Sequence, residues 1–113
     1  MKFQILVGTK WCGTGDIAKN DTDFGTFLNV DRCCQAHDKC PDYISGFQTK
    51  YNLTNPVFHT RLHCSCDMEF YNCLKKINTP IALKVGLIFF NLLNNQCYKE
   101  DYPYKCISRL IIP

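Results

Sequence analysis

The chain has no apolar run long enough to cross a bilayer. The longest stretch, Val85 to Leu93, is interrupted by Gly86 and Asn91 and has half the length a spanning helix needs. Neither sign of charge dominates: 13 Lys and Arg stand against 10 Asp and Glu, far from the basic footprint of a nucleic-acid-binding domain. No internal repeat is visible, and no EF-hand pattern, so a calcium sensor of that kind is excluded. A complete signal peptide is missing as well. Met1-Lys2-Phe3-Gln4-Ile5-Leu6-Val7 reaches Trp11-Cys12 too soon, as a mature form or a fragment would. With 113 residues there is room for one domain, expected to span 1–113.

What the sequence does have is cysteine: nine residues, the density of a disulfide scaffold made in an oxidising compartment. Apolar residues at 46% supply a small core and exclude disorder. Two sequons, Asn20-Asp21-Thr22 and Asn52-Leu53-Thr54, agree with secretion. Residues 1–50 carry six basic and six acidic side chains and residues 51–113 seven and four, so the net +3 lies in the second part. That bias suits an anionic surface and equally an ordinary solvated one.

Residues 1–30 are rich in turn formers and show no helical period. Asp31 is suited to cap a helix over about 31–41, ended with the help of Pro41. A loop follows. Leu62, Cys66, Phe70, Cys73, Leu74 and Ile77 recur at spacings of three and four, predicting an amphipathic helix over about 60–77. Thr79 as cap and Pro80 at the first position open a third helix, to about 93. The tail from Cys97 reads as a short hairpin or loop. The expected fold is mainly α and disulfide-rich, with two long antiparallel helices cross-linked by disulfides.

Cysteine spacing sharpens this. Cys33 and Cys40 lie seven apart, as do Cys66 and Cys73. If the two helices run antiparallel, Cys33 meets Cys73 and Cys40 meets Cys66 in one register; spacing alone leaves other pairings open. That register brings His37 to within about half a turn of Asp67. Asp67 shares a helix face with Phe70 and Leu74, a costly place for a carboxylate without a hydrogen bond. A carboxylate beside an imidazole fixes its tautomer and strengthens its other nitrogen as a base; a buried pair that only joins two helices is the alternative. Trp11-Cys12-Gly13-Thr14-Gly15 is a glycine-punctuated loop able to turn several carbonyls toward one point, and Asp38 adds carboxylate oxygens. Such hard oxygen donors suit calcium.

Together these segments resemble the secreted phospholipases A2 of the bee-venom-like (group III) kind. The matching stretches are Gly8 to Gly15, Asp31-Arg32-Cys33-Cys34-Gln35-Ala36-His37-Asp38-Lys39-Cys40-Pro41-Asp42, His59 to Asp67, Phe70 to Leu74, Phe89 to Leu92 and Cys97-Tyr98. The resemblance implies bridges Cys12–Cys34, Cys33–Cys73, Cys40–Cys66 and Cys64–Cys97. It implies a calcium loop at about 8–16, with Ca2+ held by the carbonyls of Trp11, Gly13 and Gly15 and by Asp38. His37 would be the general base, Asp67 its orienting partner, and the Gly13 N–H a support for the oxyanion. The implied reaction is calcium-dependent hydrolysis of the sn-2 ester of phosphoglycerides by a secreted, monomeric protein that docks transiently on a phospholipid membrane surface. Ile5, Leu6, Val7, Phe58 and Ile88 are candidates to meet lipid.

The chain departs from the pattern twice. Phe89 stands where the family has a tyrosine whose hydroxyl supports the catalytic carboxylate, a bond worth about 1.5 to 3 kcal/mol if nothing replaces it. Cys106 is left without a partner, because the family's further cysteine is absent. Two other functions compete. One keeps the fold as a toxin or receptor-binding protein with little turnover, but Asp38 and the loop positions are retained. The other draws a zinc site from His37, Cys40, Cys64 and Cys66, and the implied bridges leave it no thiolates.

Overall fold

A computed structural model of the chain describes residues 8–12, 18–92, 96–100 and 105–108, with 91–92 and 105–108 described through their backbone. Its elements are α1 (Leu28–Asp38), short strands β1 (Tyr43–Ile44), β2 (Thr49–Lys50), β3 (Leu53–Thr54) and β4 (Arg61–Leu62), then α2 (Cys64–Ile77) and α3 (Pro80–Gly86). A π-helical segment, Leu87–Leu92, continues α3, and strands β5 (Gln96–Lys99) and β6 (Lys105–Ser108) follow.

Helix α1 begins three residues earlier than the sequence suggested. Phe27 occupies the cap position without a side-chain cap bond, and its carbonyl accepts from the Asp31 amide at 2.9 Å. Asp31 is therefore inside the first turn and not the cap. Its carboxylate, fully buried, turns back toward the N-terminal loop. The helix also ends earlier, at Asp38, so Cys40 lies beyond it. Val30, Cys33, Cys34 and His37 form its buried face.

Helix α2 begins at Cys64 and not near 60, because Arg61 and Leu62 pair with Ile44 and Tyr43 as strand β4. His63 caps it, Nδ1 accepting from the Ser65 amide at 3.0 Å, and Asn78 closes it in the left-handed region that asparagine tolerates. Its inward face is Cys66, Asp67, Phe70 and Leu74. The third helix starts as expected, with Thr79 Oγ1 accepting from Ala82 N–H at 3.4 Å and Pro80 in the first turn. It holds α geometry only to Gly86; the expected stretch to 93 passes into the π segment, a conformation frequent at functional sites.

Helices α1 and α2 pack together around Trp11, Val30, Cys33, Cys34, Phe70 and Leu74, with Ala82, Val85 and Phe90 closing the core. The disulfides Cys33–Cys73 and Cys40–Cys66 join them at Cα separations of 5.8 and 5.9 Å. Cys12–Cys34 ties the N-terminal loop to α1, and Cys64–Cys97 ties β5 to α2. These are the four pairs the resemblance implied. The segment between α1 and α2, read as a loop, holds two antiparallel two-stranded pairings, β1 with β4 and β2 with β3. The C-terminal hairpin forms from β5 and β6, with Cys106 opposite Tyr98 in the register.

Candidate active site

The two long helices bring His37 and Asp67 into direct contact. His37 Nε2 lies 2.7 Å from Asp67 Oδ1, and both side chains are buried, 8% and 6% exposed. A carboxylate accepts only, so Nε2 carries a proton toward Asp67, and in the neutral ring Nδ1 keeps its lone pair. Among the described residues nothing is hydrogen-bonded to Nδ1. Phe70 stacks on the imidazole at 4.6 Å between centroids and 26° between planes; Phe89 meets it edge-on at 4.6 Å and 88°. Apolar rings on two sides fix the imidazole plane and keep competing water from the pair.

The N-terminal loop is held by a carboxylate that the sequence had presented as a helix cap. Asp31 accepts from the backbone amides of Lys10 (2.9 Å), Trp11 (2.8 Å) and Gly25 (2.8 Å). Three amide donors compensate the burial of that charge. The Trp11 indole N–H donates to the Asp23 carbonyl at 3.0 Å, and the Lys39 ammonium lies 5.8 Å from its ring centre. Lys10 pairs with Asp23 at 2.6 Å. That bond, with the Lys19 amide, holds the Asp23 carboxyl below the usual carboxylate range. A signal for Asp31 was available: it lies three residues before buried Cys34, on a face where a charge needs a reason.

Asp38 follows His37 and is exposed at the end of α1. Gly13 and Gly15 lie outside the described residues, as do Ile5, Leu6 and Val7 and the side chain of Cys106. Among the described residues no three His, Cys, Asp or Glu side chains converge as a metal site. The zinc reading fails because Cys40, Cys64 and Cys66 are all in disulfides.

An apolar groove of about 700 Å³ opens between the start of α1 and the start of α3, lined by Phe27, Leu28, Val30, Ile77, Ile81 and Lys84 among others. Val30 lies two turns from His37 on the same face of α1, about 10 Å away along the axis. Of the residues expected to meet lipid, Ile88 is half-buried. Phe58 is 66% exposed, but on the segment that follows the opposite end of α1.

A second polar network joins α2 to the C-terminal hairpin. His63 Nε2 lies 2.8 Å from Glu100, the fully buried Tyr98 donates its hydroxyl to Asp42, and Lys50 reaches Asp42 at 3.1 Å. Burial pushes the Asp42 carboxyl up, but the hydrogen bonds from Tyr98 and Lys50 outweigh it and leave it low. Its partner Lys50 is raised, chiefly by that same bond. Glu100 is lowered by a backbone amide and by His63.

Comparison with known proteins bears on this arrangement directly. The family model described as Phospholipase A2 matches residues 5–101. A curated phospholipase A2 of Xylocopa appendiculata circumvolans is 44% identical over 105 residues, covering 93% of this chain and 59% of the relative. One of Apis dorsata is 44% identical over 100 residues, covering 88% of this chain and 75% of the relative. A human group 3 secretory phospholipase A2 is 42% identical over 103 residues, 91% of this chain and 20% of the relative. The chain thus spans about three fifths of the length of the Xylocopa relatives it matches.

Proposed function

The chain belongs to the phospholipase A2 family, and from that premise we propose that it hydrolyses the sn-2 ester of phosphoglycerides, outside the cell and with calcium bound. One observation carries the reading: a buried imidazole whose Nε2 faces a carboxylate at 2.7 Å and whose Nδ1 meets no hydrogen-bond partner among the described residues. That is the arrangement of a general base with its orienting partner.

His37 Nδ1 accepts a proton from a water molecule as the water oxygen bonds to the ester carbonyl carbon. Asp67 keeps the ring's tautomer before the transfer and stabilises the imidazolium after it. When the tetrahedral species breaks, the sn-2 C–O bond opens and the departing glycerol oxygen takes the proton back. The products are a fatty acid and a lysophospholipid. The Gly13 N–H is a further donor for the oxyanion. Phe70 and Phe89 hold the imidazole plane throughout.

Calcium fits the donors available at this end of the molecule. Trp11, Gly13 and Gly15 offer carbonyls and Asp38 a carboxylate, all hard oxygens, with no soft-ligand cluster among the described residues to compete. When bound, the ion supplies positive charge for the ester oxygen and the phosphate. Asp31 prepares its site by fixing the backbone at Lys10 and Trp11.

We assign the groove between α1 and α3 to the acyl chains, since it is apolar and follows the helix face that carries His37. Four disulfides agree with an extracellular setting. The test is fatty-acid release from mixed phospholipid vesicles. Release that requires calcium and stops with chelator is expected; calcium-independent release excludes the mechanism. Tight vesicle binding with no release would instead favour the binding-protein reading.

A further inference from the structure

We infer that Asn52 is the attachment point of an N-linked glycan, and that this glycan covers exposed aromatic side chains on and beside the hairpin that carries it. The inference rests on the extracellular reading above. Strands β2 and β3 pair Thr49 with Thr54 and Lys50 with Leu53, leaving Tyr51 and Asn52 as the turn. Both turn residues have left-handed backbones, with φ of 57° and 60°, the geometry of a tight two-residue hairpin. Asn52 is exposed at the tip, and its side chain makes no hydrogen bond among the described residues. Two residues on, the exposed Thr54 completes the sequon, its hydroxyl 2.7 Å from that of Thr49 across the ladder.

The segments flanking this hairpin carry the two most exposed large apolar side chains among the described residues. Phe47 and Phe58 are each 66% exposed, and the Phe47 amide donating to the Val57 carbonyl at 3.1 Å joins the two flanking segments at the hairpin base. Tyr43 and Tyr51 are 49% and 42% exposed, with the Lys50 ammonium 6.0 and 5.1 Å from their ring centres. Open rings on and beside one hairpin are apolar surface that a cover or a partner would take out of water. The C–H faces of pyranose rings pack on aromatic rings, and a sugar chain rooted at Asn52 is tethered beside this surface. Asn20 offers no such match. Its Oδ1 accepts from the Thr22 amide and hydroxyl, and its neighbour Asp21 is engaged by Lys39 and Gln35, so that surface is already polar.

In the attachment step the Asn52 Nδ2 gives up one proton and bonds to the anomeric carbon of an oligosaccharide carried on a polyprenyl pyrophosphate. The anomeric C–O bond to the pyrophosphate breaks, and the lipid pyrophosphate leaves. The chain, led into the secretory pathway of eukaryotic cells, is read by intact mass before and after peptide-N-glycosidase, in medium and cell-retained fractions alike. A glycan-sized shift is expected in the wild type and in Asn20→Gln. It is lost in Asn52→Gln and in Thr54→Val, which keeps the turn asparagine, and kept in Thr54→Ser. Enzymatic removal of the glycan from folded protein should raise anilinonaphthalene sulfonate fluorescence several-fold, and Phe47→Ser with Phe58→Ser should reverse the rise. A bare wild-type mass in both fractions, a shift that survives Asn52→Gln, or dye binding indifferent to the glycan overturns the proposal. A glycan on retained protein, with none exported, counts against the extracellular reading and leaves Asn52 assigned.

Discussion

His37 meets Asp67, Phe70 and Phe89 through contacts a few ångströms long. His37 has its proton placed by Asp67 and its plane fixed by Phe70 and Phe89. His37→Gln removes the base while keeping a neutral hydrogen-bonding side chain, and should lower fatty-acid release by about 10² to 10⁴-fold with the fold intact; a vesicle assay beside circular dichroism checks both halves. Phe70 is 4% exposed, and Phe70→Ala opens a cavity costing about 3 to 5 kcal/mol, measurable in urea. Asp31→Asn keeps the shape but exchanges a charged acceptor of three amides for a neutral one, and should destabilise by about 2 kcal/mol. The chain's one tryptophan, Trp11, sits on that bond, so its fluorescence should follow unfolding and, on the proposed calcium reading, a weakened affinity for the ion. An Asp31→Asn protein with wild-type calcium titration would show the clamp to be irrelevant to the metal.

Between elements, stability rests on the bridged pair α1 and α2. Replacing Cys33 and Cys73 together by alanine should cost about 2 to 5 kcal/mol, read as a lower denaturation midpoint. The pairing was legible because equal spacing of cysteines on two antiparallel helices leaves one simple register, and that register carried His37 to Asp67. The helix starts were less legible. Aspartate is favoured both at a cap and in the first turn, so Asp31 spoke equally for two boundaries. At α2, Arg61 and Leu62 fit the helical pattern, but a backbone partner from β1, far away in sequence, takes them into a strand. Two-residue strands have no period to detect, so the pairings between α1 and α2 were read as loop. The change from α to π geometry after Gly86 leaves no mark that propensity can register. Asp31's grip on the N-terminal loop is likewise a long-range bond: local pattern marks a charge on a buried face but not the amides that it holds.

At the scale of the whole molecule, charge links the far end of the helices to the C-terminal hairpin. Asp42 titrates below the ordinary carboxylate range in the folded chain, so its contribution is complete above about pH 4 and lost as pH falls further. Lys50 is raised, so its contribution holds below the ordinary lysine range and is lost as pH climbs through the raised value. Asp42→Asn should therefore flatten the acid limb of a stability–pH curve measured by thermal unfolding. The two cross-helix bridges have a topological effect as well. Lys50 stands 39% exposed at the hairpin turn, after Cys33 and Cys40 and before Cys66 and Cys73. A protease cutting there would put the imidazole on one fragment and its carboxylate on the other. Both would still migrate as a single species until a thiol reductant parted them, because two bridges span the cut.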